Sequence, residues 1–160
     1  MATSAGAVEL TKVDSTQQFP LGLEHTVEPV MAGIASASLN RGVQVWVYVE
    51  AAAALTAYIP TARSAGATTY KGTDTAVAAD APARILGVPQ HAIASGKYGW
   101  ILKRGLGEVK SPTGTTANEA IIPENGGAKV AGASTDASIG LATETVGAGL
   151  VATCYINCPG

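Results

Sequence analysis

The chain has 160 residues, of which 47% are hydrophobic, 14% are charged and 5% are aromatic. This length is typical of one domain with a core of its own. The net charge is -2, so the excess of Lys and Arg that binding to a phosphate backbone needs is absent, and nucleic acid is not an expected partner. The first residues do not read as a signal peptide, and no stretch reaches the roughly 18 apolar residues of a membrane span. We therefore expect a soluble protein, made in a cytoplasm, with no membrane partner.

Residues 1–40 have a mixed and weakly apolar sequence. Their most hydrophobic part contains Phe19, Leu21 and Leu23. Without a helical or strand period, this segment is predicted to be an extended N-terminal arm, and residues 41–160 are predicted to form the body. A loosely ordered terminus is the alternative interpretation.

The strongest strand signal lies in residues 43–49, where valine occupies every second position. A period of two places the valines on one face of a β-strand and Trp46 and Tyr48 on the other. We expect the valine face to be the core face.

The next part of the chain is less regular. Residues 55–59 alternate and end at a proline, which predicts a turn followed by a second strand. Residues 61–82 are rich in Ala, Thr, Gly and Ser and are predicted to be a surface connection, with one short strand at 75–79. Strand character resumes at 84–88.

Residues 90–100 predict a β-hairpin with a strand on either side of a tight turn. Gly96 stands where the chain would turn, and glycine adopts a positive φ without steric cost. Tyr98 and Trp100 then share one face of the returning strand. Together with the aromatic pair of the first strand, they are candidates for the core or for contacts between subunits, and stacking on sugars is the alternative.

Glycines 99, 105 and 107 lie on the opposite face of that returning strand. Such a pattern predicts a bulge or the close approach of another backbone. Further strands are predicted at 120–122, 128–131, 139–146 and 150–158. Short strands separated by turn signals, with no window long enough for a substantial helix, predict an all-β fold: a small barrel or a sandwich of antiparallel strands.

The candidate catalytic motifs lack residues that their chemistry requires. A phosphate-binding loop ending at Lys97 would need a glycine where His91 stands and a Ser or Thr where Tyr98 stands. Neither His91 nor His25 has a flanking signature for catalysis, and a hydrogen-bonded or partly buried histidine is the ordinary case. We expect no enzyme, no catalytic residue and no cofactor.

The two cysteines, Cys154 and Cys158, are four residues apart. In an extended strand they would be about 13 Å apart on one face, too far for a disulfide. Two small buried apolar groups are the favoured interpretation. A metal site is the alternative, but a second Cys or His pair at matching spacing is missing, so no metal is expected.

Four segments follow one another in a characteristic order, at 45–49, 55–58, 86–94 and 96–105. Over residues 43–106, this order resembles small head decoration, or cement, proteins of tailed bacteriophages. The resemblance implies a compact β-barrel or β-tulip that forms a homotrimer and sits between capsomers on the outside of the mature capsid. It carries no catalytic residues.

In such phage proteins an N-terminal arm commonly lies along the capsid. The resemblance therefore makes Phe19, Leu21 and Leu23 candidate contacts with the major capsid protein. The expected function is a structural virion protein that stabilises the shell at the capsid surface. The alternative is a phage fibre, knob or adhesin-type module that binds glycans through exposed aromatic rings such as Trp46 or Trp100.

Overall fold

The computed structural model describes residues 8–27, 42–74, 84–131 and 138–160. Their regular structure consists of ten β-strands, which confirms the predicted all-β class. In chain order these are β1 (Glu24–Val27), β2 (Gln44–Ala51), β3 (Thr61–Arg63), β4 (Lys71–Asp74), β5 (Ile85–Gly87), β6 (Tyr98–Ser111), β7 (Ala120–Glu124), β8 (Gly127–Val130), β9 (Gly140–Ala142) and β10 (Leu150–Asn157). In the described ranges, no helix is both long and apolar enough to cross a membrane.

All ten strands belong to one curled sheet, in the order β5-β3-β4-β2-β6-β10-β9-β7-β8, with β1 paired to β2. The pair β2–β4 is parallel, and the pairs β2–β6 and β6–β10 in the middle of the sheet are antiparallel. Beyond β5, Val88 pairs with Leu102 of β6 through two backbone hydrogen bonds of 2.8 and 2.9 Å. This pair closes β2, β4, β3, β5 and β6 into a small ring of strands.

Strand β2 is buried on both faces because it takes part in two different cores. Val47 and Val49 pack inside the small ring, so the prediction that the valines face a core is confirmed for these two, whereas Val43 is 54% exposed. Trp46 and Tyr48 lie on the opposite face, in a larger core that continues under the C-terminal half of the sheet.

The predicted bulge is present in β6. The pairing of β2 with β6 shifts by one residue at Lys103, between the partners of Val45 and Trp46. Gly105 has a φ of +112°, and a Cβ there would stand 2.7 Å from the carbonyl oxygen of Val43. Glycine is required here because a side chain would meet both an unfavourable φ and a neighbouring backbone.

The predicted strand at 55–59 is wrong. Leu55 makes a single bridge to Ile93, and the chain then turns through Tyr58 at a φ of +69°. The segment before the turn at Gly96 is likewise no strand, although the turn itself is confirmed, with a φ of +72°. Besides that bridge, the backbone N–H of Tyr58 donates a hydrogen bond to the carbonyl of Pro89 at 2.7 Å, so the two segments are in contact without forming a regular ladder.

The predicted surface connection at 61–82 was also wrong in part, because it contains β3 and β4. Thr61 and Ala62 of β3 are buried. These strands are too short, at three and four residues, to show a period in the sequence. The strand predicted at 75–79 lies outside the described residues.

Most of the strands predicted after residue 83 are present in the structure. The predictions at 84–88, 120–122, 128–131 and 150–158 are confirmed as β5, β7, β8 and β10. The prediction at 139–146 was too long, because β9 ends at Ala142 and the chain then forms a loop before β10. Glu144 belongs to that loop, where its carboxylate accepts a hydrogen bond from the backbone N–H of Thr153 at 2.6 Å.

Candidate binding surfaces

The four aromatic residues picked out from the sequence come together on one face of β2 and β6. Trp46, Tyr48 and Trp100 are buried and Tyr98 is half-buried. The ring of Tyr48 is centred 5.2 Å from that of Trp100 and 6.3 Å from that of Tyr98. Of the two predicted roles, core or subunit contact, the structure places the three buried rings in the core. Trp46 and Trp100 are not the exposed rings that the glycan-binding alternative required.

The described part of the N-terminal segment lies against this aromatic face. The ring of Phe19 is centred 5.2 Å from Tyr48 and 5.3 Å from Trp100. Asp14 and Tyr98 exchange two backbone hydrogen bonds of 2.8 and 3.0 Å. Strand β1 then pairs with β2. Phe19 and its neighbours therefore cover the aromatic face, and the division into an arm (1–40) and a body (41–160) stays a prediction.

The three predicted capsid contacts differ in accessibility. Phe19 packs on the aromatic core, and Leu21 is half-buried against the same core. Leu23 is 41% exposed. Leu23 is thus the member of this set whose side chain a partner can reach most readily.

A buried polar contact fixes the N-terminal segment on the body. The Tyr48 hydroxyl donates a hydrogen bond to Asp14 Oδ2 at 2.8 Å, and Lys12 Nζ stands 3.4 Å from Asp14 Oδ1. Burial, together with this hydrogen bond, raises the pKa of Tyr48 to about 12. Sequence reasoning missed Asp14, since an isolated aspartate in a polar stretch gives no signal of burial.

A second polar contact lies at the bulge of β6. Lys103 is buried, and its Nζ is 2.7 Å from Glu24 Oε1 of β1. The bulge turns this lysine toward β1, so the ion pair ties the N-terminal segment to β6 as well as to β2. This pairing could not be predicted from the sequence, because the two residues are far apart along the chain.

The opposite, convex face of the C-terminal half carries exposed apolar residues. Leu106, Tyr155, Leu141 and Ala120 are register partners across β6, β10, β9 and β7, and we call them the outer row. Tyr155 is 54% exposed and Leu141 is 41% exposed, while Leu106 and Ala120 are half-buried. Val151, also on this face of β10, is 39% exposed. The sequence did not single out this row, because the alternation of β10 does not tell which of its faces is covered.

The cysteines and histidines do not form a reactive centre among the described residues. Cys154 and Cys158 are buried, as predicted, and burial raises the pKa of each thiol to about 12. Burial also lowers the pKa of His91, while the ring of His25 lies against Trp100 at 5.8 Å. Within the described ranges, no three His, Cys, Asp or Glu side chains are grouped so as to hold a metal ion.

One open cleft of about 450 Å³ lies beside β7 and β8. Threonines 113, 115 and 116 line it together with Glu119, Glu124 and Lys129. Thr113 donates a hydrogen bond to Glu124 Oε2 at 3.2 Å. These hydroxyl and charged groups can hydrogen-bond polar molecules, and Val130 and Val146 add an apolar part to the lining.

Comparison with known proteins finds a solved structure with a similar fold. No family model matches the sequence, and no curated protein matches it. Among solved structures, the chain is similar to the N base of the head fiber gp8.5 of bacteriophage phi29, with a TM-score of 0.54 and 16% sequence identity. The match covers 71% of this chain and 93% of that chain. The two proteins therefore share a fold over almost the whole of the phi29 module.

Proposed function

We propose that this chain is a structural virion protein of a tailed bacteriophage, which binds the outside of the capsid and stabilises the shell. The observation that carries the proposal is the fold shared with the phi29 head fiber base, which extends over 93% of that module. The order of segments in residues 43–106, which resembles head decoration proteins, supports the same class of protein. The first line of support rests on backbone geometry and the second on the order of sequence segments.

We further propose that the protein is not an enzyme. The groups best suited to nucleophilic chemistry are buried: Cys154 and Cys158 keep their protons far above neutral pH. The hydroxyl of Tyr48 is engaged with Asp14. These residues are better explained as parts of the core than as parts of a reaction site.

The proposed capsid contact is the part of the N-terminal segment around Leu23. Its side chain is 41% exposed, and it immediately precedes β1. The ion pair of Lys103 with Glu24 and the pairing of β1 with β2 hold this region in place. A preorganised apolar contact loses little conformational freedom on binding, and repetition over a symmetric shell strengthens modest contacts.

The test is co-sedimentation of the purified protein with expanded, undecorated capsids of the phage that encodes it. We expect saturable binding and a higher temperature of shell disruption. Leu23→Lys should weaken binding, whereas Leu141→Lys, at an equally exposed leucine of the outer row, should bind these capsids at saturation as the wild type does. A purified protein that does not co-sediment with these capsids would overturn the proposal.

A second candidate function is the base of a head fibre, because the similar phi29 module is itself described as such a base. A base would bind the capsid without raising the temperature at which the shell breaks. Binding that leaves this temperature unchanged would therefore favour the fibre base over the cement role.

A further inference from the structure

Strand β1 has a main-chain edge that points away from the sheet. The N–H of Tyr48 donates a hydrogen bond to the carbonyl of Leu23 at 3.0 Å, so the antiparallel pairing of β1 with β2 begins on a hydrogen-bonded pair. Hydrogen-bonded and non-hydrogen-bonded pairs alternate along an antiparallel ladder. Every second residue counted from Leu23 therefore bonds to β2, and the N–H and C=O groups of the residues between, Glu24 and Thr26, point outward.

These outward groups are accessible and have no partner in the described part of the chain. Glu24 and Thr26 are both exposed, and the pairings of β1 in the described ranges are all with β2. The carboxylate of Glu24 is held by Lys103, which leaves its main-chain groups unaffected. Two N–H donors and two C=O acceptors thus face solvent, on residues about 6.6 Å apart along the strand. A further β-strand offers the same spacing, since its bonding residues also recur at every second position.

The two ends of the strand order are closed or covered. On the β5 side, Val88 pairs with Leu102 and completes the small ring. On the β8 side, all four residues of the strand are buried or half-buried. Folded proteins usually cover or block the free edges of their sheets, because an open edge pairs readily with another chain. Of the three edges compared, β1 is the one that stays open to a partner strand.

We propose that β1 accepts an extended segment of the major capsid protein as an added strand. The inference rests on the proposed capsid-binding function, since it names the kind of contact made beside Leu23. An added strand would exchange hydrogen bonds with Glu24 and Thr26, and Leu23, 41% exposed, would supply an apolar contact next to them. Recognition by strand addition uses the main chain for affinity and alternate side chains for specificity. Because β1 is already paired to β2, this edge is ordered before the partner arrives, and little conformational freedom is lost on binding.

Amide hydrogen exchange of the full chain, resolved by residue in a mass spectrometer, tests this geometry directly. In the free protein the N–H groups of Glu24 and Thr26 should exchange at least about 10-fold faster than those of His25 and Val27, which bond to β2. On expanded capsids at saturation, exchange at Glu24 and Thr26 should slow by at least about 10-fold, because the added strand accepts their hydrogen bonds. Unchanged exchange at these two residues in the capsid-bound protein would overturn the inference.

Two substitutions at Thr26 separate a main-chain contact from a side-chain contact. Thr26→Pro removes the outward N–H and leaves the hydrogen bonds of β1 to β2 intact, because proline is tolerated in an edge strand where its nitrogen faces solvent. We expect its affinity for the capsids to fall at least about 10-fold. Thr26→Ala removes the side chain but keeps the N–H, so its affinity should stay within about 3-fold of the wild type. Equal affinities of the two variants would overturn the inference.

The outcomes also separate this inference from the function on which it rests. A wild type that does not co-sediment with the capsids would overturn both. A wild type and a Thr26→Pro variant that bind the capsids equally well would overturn the added strand alone and leave capsid binding in place. The thermal transition of each variant shows whether it is folded. If Thr26→Pro unfolds, the exchange at Glu24 and Thr26 of the capsid-bound wild type decides the question.

Discussion

The aromatic face and the outer row occupy interior strands of the same sheet, yet they differ in what lies on them. Tyr48 on β2 is fully buried, whereas Tyr155 on β10 is 54% exposed. Both strands have neighbours on either side in the sheet. The difference is the covering segment: Phe19 packs on Tyr48, while the convex face at Tyr155 stays open to solvent. An apolar strand face thus becomes core or binding surface according to what the rest of the chain lays over it.

Removing residues 1–23, whose described part covers the aromatic face, should cause the largest loss of stability. The truncation uncovers Tyr48 and Trp100 and removes the apolar contacts of Phe19 and Leu21 together with the Asp14 hydrogen bond. We expect a loss of at least about 5 kcal/mol in the free energy of unfolding, since each buried side chain contributes about 1.5–3 kcal/mol. Because small domains have a total stability of about 5–15 kcal/mol, the truncated body should be largely unfolded by circular dichroism.

A truncated body that unfolds cooperatively at the wild-type urea concentration would contradict this expectation. It would show that residues 1–23 form a detachable arm, as the sequence pattern alone predicts. Leu23→Lys in the full chain is the control, because it changes an exposed side chain of this segment and should leave the midpoint nearly unchanged.

Single substitutions sharpen the same comparison. Trp100→Ala should lower the free energy of unfolding by about 3–5 kcal/mol, because the ring is almost completely buried between Phe19 and Tyr48. Tyr155→Ala should lower the stability of the isolated chain by less than about 1 kcal/mol, because half of the side chain is exposed. Urea denaturation at low protein concentration measures both. Equal losses would mean that the two faces are covered to the same extent.

Much of the fold could be predicted from local pattern. The valine alternation of β2 and the glycines of β6 identified a buried strand and a bulge, because both features depend on neighbouring residues. The short strands β3 and β4 were not predicted, since three or four residues are too few to show a period. The pairing of β3 with β5 also depends on residues far away along the chain.

The surfaces were less predictable than the strands. Phe19 was picked out from the sequence as apolar, but only the packing shows that it faces Tyr48 instead of a partner. The outer row is formed by residues more than thirty positions apart, Leu106 and Leu141, that β10 brings into one line. Long-range register decides such a surface, and no local property of the sequence encodes it.

Tyr48→Phe should have a smaller effect than Trp100→Ala, a loss of about 1–3 kcal/mol near neutral pH, because it removes the hydrogen bond to the buried Asp14. The effect should also depend on pH. In the folded protein the pKa of Tyr48 is raised to about 12, mainly by burial, from 10.0 in the unfolded chain. The unfolded state therefore loses its proton first, so the stability that this tyrosine contributes is complete below pH 10 and is lost as the pH rises toward 12.

The measurement is urea denaturation of the wild type and Tyr48→Phe from pH 8 upward. Cys154 and Cys158 also have raised pKa values and titrate from about pH 9 in the unfolded chain, so both proteins should lose stability in alkali. The difference between them isolates Tyr48, because the cysteines are common to both, and this difference should shrink above pH 10. A constant difference up to pH 12 would show that the hydroxyl is not held in a buried contact, and that the N-terminal segment covers the aromatic face less closely than the geometry indicates.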